Sequence, residues 1–561
     1  MKKLLPIGIS DFKKVIEGGY AYVDKTMLIQ ELLEKGGDVA LIPRMRRFGK
    51  TLNLSMLRYF FEKTNCDTSY LFRSLNIWKN DQYRAMQGQF PVIFLSLKDV
   101  KHSSWQEAFE SFRWVVAKEF ERHRYLLEEE LQGTLLKQQE KEDYLKILNK
   151  TASQTLIEQS LLILTEWLQR YHKKNVILLI DEYDTPAHAA YIGGYYEDLI
   201  AFLRNWLSGG LKDNRYLERG VLTGILRIAK ESVFSGLNNI STFTILSEDF
   251  QDKFGLLESE VKQLLVDFGL QSAHSEIRQW YNGYRIGSCE GIYNPWSVLN
   301  CIAKNGALAP YWVNTSDNAL MKQLIARGTD DFKADIEELL NGKSIKKIIE
   351  EGVVFSNLEQ SPNAVWALLL FSGYLTLAAT PSYGIPSSLR IPNVEVRELY
   401  ISMIFEWFEK SIHQSKYRQL LNSLIAGDLD TFSQIFQEFL ISAVSVFDIS
   451  ADEPEKIYHA FILGMLLGLS DRYEVKSNRE SGFGRYDVCL IPKNPHDLGI
   501  IMEFKKVGRF EQTTLEDAVT SALKQIEEKQ YKQELLDRGI TRILLLGLAF
   551  EGKRVLIRSK V

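Results

Sequence analysis

DVALIPRMRRFGKT, Asp38 to Thr51, opens as a continuous apolar run of strand length and closes on Gly49-Lys50-Thr51. Past it, Leu52, Leu54, Leu57 and Phe60 recur at helical spacing, so the stretch reads strand, loop, helix. A loop placed there aims backbone N–H groups at an anion from the helix N-terminus. Lys50 can then reach the outer phosphates, and the Thr51 hydroxyl can join the coordination of Mg²⁺. Gly49 lets the backbone approach closely, and Arg47 and Phe48 complete the turn before it. The first glycine of the generic G-x-x-x-x-G-K-[ST] loop is Arg44 here, and Arg44, Arg46 and Arg47 compensate in charge but not in shape.

Outward from this loop, Phe90–Leu97 (FPVIFLSL), Val176–Ile180 (VILLI) and Gly220–Ile228 (GVLTGILRI) are further apolar runs of strand length. Such runs suit strands buried on both faces of a parallel sheet. Helical patterns over Ser103–Leu127 and Leu156–His172 lie between them, and the alternation predicts a doubly wound α/β domain over 1–245. The polar stretch Glu128–Lys141 reads as an exposed helix or an insertion.

The run Val176–Ile180 ends in Asp181-Glu182. Alone, this is a strand whose exposed end carries acids. Beside the loop it reads as the second half of an ATP site, with Asp181 holding Mg²⁺ and Glu182 orienting or activating the attacking water. In Thr223-Gly224-Ile225-Leu226-Arg227, polar residues can sense a terminal phosphate, and Arg227 or Lys230 can neutralise charge in the transition state.

Amphipathic helices then take over (Glu258–Phe268, Asp335–Leu340, Val394–Phe408), which predicts a mostly helical middle region over 246–450. Its aromatic blocks, Trp280, Tyr281, Tyr284, Tyr293 and Trp296, can pack this region against the first domain or stack on bases; packing is favoured. The acidic segment Ser450–Glu455 leads into mixed structure over 451–561. A helix is expected at Ile457–Leu469, strands at Arg485–Ile491, Gly499–Phe504 and Arg542–Leu548, and one long helix over Leu515–Arg538.

In this last region Asp487 and Glu503 fall on adjacent strands. The strand period of two puts Glu503 and Lys505 on one face. Two carboxylates can hold a divalent metal while the lysine stands beside the attacking water or the scissile phosphate, the parts that metal-assisted phosphodiester hydrolysis needs. Glu474, Gln525, Tyr531 and His459 are further candidates.

Composition narrows the field. Across 561 residues, 68 Lys and Arg against 72 Asp and Glu leave a net charge of −4, so nucleic-acid binding would have to use a local patch. Four scattered cysteines, with no C-x-x-C pair, argue against a disulfide framework and a structural zinc. The N-terminal MKKLLPIGISDFKK is too short a core for a signal peptide, and Ala367–Ala379 falls short of the ~20 residues needed to cross a bilayer. A cytoplasmic protein without a membrane partner is expected.

Longer stretches carry a resemblance: LPIGISDFKKVIEGGYAYVDKT (Leu5 to Thr26), PRMRRFGKT (Pro43 to Thr51), LLIDEYDTP (Leu178 to Pro186) and TGILRIAKESVFSGLNN (Thr223 to Asn239). WYNGYRIG (Trp280 to Gly287), YNPWSVLN (Tyr293 to Asn300), YEVKSNRESGFGRYDV (Tyr473 to Val488) and IIMEFKK (Ile500 to Lys506) continue it. Over nearly its whole length the chain resembles bacterial AAA-ATPase-like proteins with a C-terminal PD-(D/E)XK nuclease-superfamily domain. That family is similar in having arginine where the generic loop has glycine, although Met45 departs from its usual proline.

The resemblance implies a P-loop NTPase core with Lys50 and Thr51 at the phosphates and Mg²⁺, and with Asp181 and Glu182 as the Walker B pair. It implies a restriction-endonuclease-like α/β domain with Asp487, Glu503 and Lys505 as its triad. The expected function is ATP binding and hydrolysis coupled to a metal-dependent nuclease-like domain acting on DNA or RNA. The rival is an ATP-driven switch or interaction protein whose nuclease fold binds DNA or a partner without cleaving. Homo-oligomerisation is left open.

Overall fold

Val39–Pro43 (β1) is buried at every residue because a sheet surrounds it on both edges. In the computed structural model of the chain, β1 joins β2 (Val92–Ser96), β3 (Val176–Asp181), β4 (Leu217–Gly224) and β5 (Ile240–Thr242) in the order β2-β3-β4-β1-β5. Every pairing is parallel. Strands without polar alternation are what a sheet covered on both faces requires. The covering helices include α1 (Lys50–Phe61), α2 (Trp105–Arg122) and α3 (Gln154–His172). The last two start where Ser104 and Ser153 hydroxyls accept the backbone N–H of Glu107 and Leu156.

The structure describes residues 3–130, 133–227, 233, 238–312, 330–340, 342–352, 361–381, 385–411, 414–443, 462, 465–469, 471–481, 484–507, 513–551 and 554–560. Lys230, His459 and the Ser450–Glu455 segment lie outside them. The chain gathers into two compact units, one of Met1–Thr315 with Lys346–Val396, the other of Ser316–Ile345 with Arg397–Val561. Among the described residues, no helix is long and apolar enough to cross a membrane.

One local expectation needs correction in the first unit, and another is resolved into finer parts. β4 starts at Leu217 and ends at Gly224, short of Ile228, because the Asp184 carboxylate takes the N–H groups of Ile225 and Leu226 that a longer strand would pair. The polar stretch after Leu127 is a two-residue antiparallel pair, Glu129–Glu130 with Gly133–Thr134, followed by a helix from Gln138. The middle region is mostly helical, with Glu258–Phe268 as expected, and it adds a short hairpin, Tyr284–Ile286 with Cys289–Ile292. Its aromatics pack: Tyr281, Tyr284 and Tyr293 are fully buried, and their hydroxyls reach Ala309 O, Gly373 O and Glu258.

The second unit holds a mixed sheet of β6 (Tyr473–Ser481), β7 (Gly484–Pro492), β8 (Gly499–Lys506), β9 (Ile543–Glu551) and β10 (Arg554–Lys560), paired in that order. Only β8 and β9 run parallel, joined through α4 (Leu515–Glu528). The helix expected to run on to Arg538 stops at Glu528 and resumes at Gln533. Gln530 takes a left-handed φ of 54° at the break, and Tyr531 drops into the core beneath the sheet.

Candidate active sites

At the C-terminal end of β1 the loop turns through Arg47 (φ 65°) and Gly49 (φ 84°), both left-handed, before α1 begins at Lys50. Glycine supplies that conformation without cost at 49. Phe48 is buried and packs edge-on to Tyr284 at 5.1 Å, which anchors the loop to the middle region. Arg47 stacks on Trp296, its guanidinium 4.3 Å from the ring centre. Lys50 Nζ donates to Arg44 O and Met45 O, each at 2.9 Å, so it lies under the loop's own backbone.

Arg44 does not add charge to the loop mouth, contrary to the compensation expected of the three arginines. It is fully buried, donates to Pro43 O (2.8 Å), Phe243 O (2.6 Å) and Phe250 O (3.2 Å), and stacks on Phe254.

Two strands away, β3 delivers Asp181. The intervening β4 supplies Thr223, whose hydroxyl donates to Asp181 Oδ1 at 2.7 Å. The Thr51 hydroxyl from α1 lies against the same carboxylate. Burial raises the Asp181 pKa, while these hydroxyls and Lys50 pull it down. Its Oδ2 is buried with no hydrogen-bond partner of good geometry among the described residues. Glu182 follows with φ 53° and accepts from the Thr185 hydroxyl at 3.1 Å. The Lys50 ammonium is pushed down by burial and held up by Glu182, Asp181 and Asp184 together, which places it among the acids. Arg227 is tied to Glu351 Oε2 at 3.5 Å, and that oxygen also lies 3.4 Å from the Thr244 hydroxyl.

In the second unit, the β7–β8 pairing runs from Leu490–Ile500 to Val488–Met502 and then opens. At the opening, Asp487 Oδ2 accepts the Phe504 N–H at 2.7 Å. Glu503, 2% exposed, comes to lie next to Asp487. Its Oε1 accepts from Gln525 on α4 and stands 3.5 Å from Lys505 Nζ, while Oε2 is buried without a partner among the described residues. Burial and the Asp487 charge push the Glu503 carboxyl well above the ordinary carboxylate range. Gln525 also reaches the Tyr531 hydroxyl at 3.3 Å. Glu474 is not part of this group: it pairs with Ile491, toward the other end of β7, and is bound by Arg538 at 2.7 Å.

Two family models match parts of the chain. Residues 6–234 match the family model of predicted AAA-ATPases, and residues 453–560 match that of the PD-(D/E)XK nuclease superfamily. The chain joins an AAA-ATPase-like region to a PD-(D/E)XK-like region. A relative from Azotobacter chroococcum mcd 1, described as an uncharacterized protein in the vnfD 5' region, is 27% identical over 98% of this chain and 96% of its own length. No solved structure matches.

In the AAA-ATPase-like region, reasoning from sequence missed Asp184. It stands inside the LLIDEYDTP stretch, but its partners lie more than forty residues away. In the PD-(D/E)XK-like region it missed the buried Lys476 and its partly buried partner Glu534, for which no sequence signal exists. The unpartnered buried oxygens of Asp181 and Glu503 fit a cation in each region, since a buried carboxylate oxygen otherwise costs free energy. Among the described residues, no three His, Cys, Asp or Glu gather as metal ligands. The groups that could hold a divalent cation are Asp181 with Thr51 and Asp487 with Glu503.

Proposed function

We propose that the protein binds and hydrolyses ATP in its first unit and hydrolyses phosphodiester bonds of nucleic acid, with a divalent metal, in its second. The observation that carries the reading is Glu503. A carboxylate that is 2% exposed, beside a second carboxylate, with one oxygen held by Gln525 and Lys505 and the other unpartnered, is an expensive arrangement for a fold to keep.

At the nucleotide site, the N–H groups of the Arg47–Gly49 turn face the phosphates, Lys50 neutralises their charge, and Glu182 takes the proton of the attacking water. Thr223 keeps Asp181 in place. At the nuclease-like site, Asp487 and Glu503 form the metal-holding pair, Gln525 fixes the rotamer of Glu503, and Lys505 orients the water or stabilises the charged phosphate. A bound Mg²⁺ supplies Lewis-acid stabilisation of charge at both places. This assignment makes the protein an intracellular enzyme with ATP and Mg²⁺ as cofactors and DNA or RNA as partner.

The test incubates the purified chain with labelled single- and double-stranded DNA and RNA, Mg²⁺ or Mn²⁺, with and without ATP. Cleavage is expected for the wild type and should fall at least ~100-fold in Asp487→Ala. ATP turnover should survive in Asp487→Ala and fall by a similar factor in Glu182→Gln, with nucleotide binding kept. No cleavage of any substrate by a preparation that turns over ATP would replace this reading with the non-cleaving switch.

A further inference from the structure

Asp184 is a buried carboxylate in the first unit whose charge helps to hold Lys50 up but which has so far been given no role of its own. It is 5% exposed and precedes the helix Thr185–Gly193, but its side chain makes no cap hydrogen bond to that helix. Capping therefore does not explain it. Its Oδ2 accepts the N–H of Ile225 at 2.9 Å and of Leu226 at 2.8 Å, the two amides that end β4. Its Oδ1 rests on Gly224, where a Cβ would lie 2.4 Å from it. Gly224 has no positive φ, so glycine is required there for room and not for backbone conformation.

The same few residues reach the phosphate loop. Gly224 O accepts the Arg44 N–H at 2.9 Å, and Arg44 O accepts Lys50 Nζ. Tyr183 closes the other side, its N–H on Thr223 O at 3.1 Å and its hydroxyl on Leu226 O at 2.8 Å. The carboxylate thus ties the loop after β3 to the turn after β4, and the Gly224 carbonyl carries the tie on to Arg44 after β1.

We propose that Asp184 is a positioning residue that locks the loop after β3 to the turn after β4, and so holds Asp181, Glu182 and Thr223 in register with Lys50. The inference rests on the nucleotide-site reading. On this reading Asp184 acts through the turn it holds. Loss of the lock leaves the phosphate loop able to bind and the acids misplaced for turnover, since errors of about 1 Å cost about 100-fold in rate.

The experiment measures ATP turnover with Mg²⁺ and equilibrium binding of a fluorescent ATP analogue, on the full chain. Asp184→Ala should lower kcat about tenfold or more while KM and analogue binding stay within about threefold. Asp184→Asn should recover most of the loss, because the amide oxygen still accepts both N–H groups. Gly224→Ala should mimic Asp184→Ala by displacing the carboxylate. The double variant should be no slower than the slower single one, since both break the same lock.

Binding that falls in step with turnover, an Asn variant no better than Ala, or multiplicative losses in the double variant would each overturn the proposal. If Asp184→Ala does not fold, Gly224→Ala decides alone, with full turnover overturning the lock. A wild type that neither binds nor hydrolyses ATP would sink the nucleotide-site reading itself, whereas wild-type turnover indifferent to Asp184→Ala removes only the lock.

Discussion

Arg44 occupies the place of a generic phosphate-loop glycine, and a sequence comparison would suggest that Arg44→Gly improves the loop. The structure argues the reverse. The guanidinium satisfies three backbone carbonyls from Pro43, Phe243 and Phe250 inside the protein, and burial brings its pKa down to about 9. Removing it leaves those acceptors unpaired around a cavity. Arg44→Gly should cost about 3 kcal/mol or more, read as a lower urea midpoint with nucleotide-loop function lost alongside. The arginine in place of glycine was visible in the sequence, but its meaning was not, because two of its three acceptors, at Phe243 and Phe250, lie about 200 positions further along the chain. Asp184 was illegible for the same reason. Lys50, Thr51, Asp181 and the Glu503-Phe504-Lys505 alternation were legible because strand and helix periods alone place them.

Among the elements, β2 is an edge strand, and an open edge invites pairing with another chain. Here α2 covers it: Glu119 Oε1 accepts the Phe94 N–H at 2.8 Å, and Arg122 donates to Val92 O. Burial alone would raise the Glu119 carboxyl, but Arg122 and His123 hold it at about 2, below the ordinary 4.5. A carboxyl lowered on folding stabilises the fold fully above 4.5, and that contribution is lost as pH falls toward 2. Glu119→Gln should therefore lose up to roughly 3 kcal/mol at neutral pH and show a flatter acid limb, seen in urea midpoints measured from pH 2.5 to 7. The strand itself was readable from FPVIFLSL. Its side-chain cover was not, since Glu119 and Arg122 look like an ordinary solvated helix pair until the helix is docked.

At the scale of the molecule, the chain leaves its first unit after Thr315 and again after Val396. Glu395 stands next to the second exit and fastens the approach to the first. It is fully buried, its oxygens accept the Ser297 hydroxyl (2.7 Å) and the Trp312 N–H (2.7 Å), and burial raises its pKa to about 7. The sign is opposite to that of Glu119. A carboxyl raised on folding favours the fold below 4.5, and that advantage disappears as pH climbs through about 7. Glu395→Gln should thus match the wild type near pH 4.5 and exceed it by up to roughly 3 kcal/mol at pH 8, by thermal or urea unfolding. A wild type equally stable at both pH values would show that the buried carboxylate is fully compensated.

The sheet order also bears on how the protein is made. β1 is among the first strands to be synthesised, yet its two neighbours are β4 and β5, and Arg44 waits for carbonyls at Phe243 and Phe250. At about 5 to 20 residues per second, a ribosome needs roughly 10 to 40 s after Arg44 to supply those partners. During that interval the emerging chain presents an apolar strand and three arginines with nothing to pair them, which is the stretch a holding chaperone would recognise. The loop after β1 is therefore complete only once β4 and β5 have been made, well after its own residues have left the ribosome.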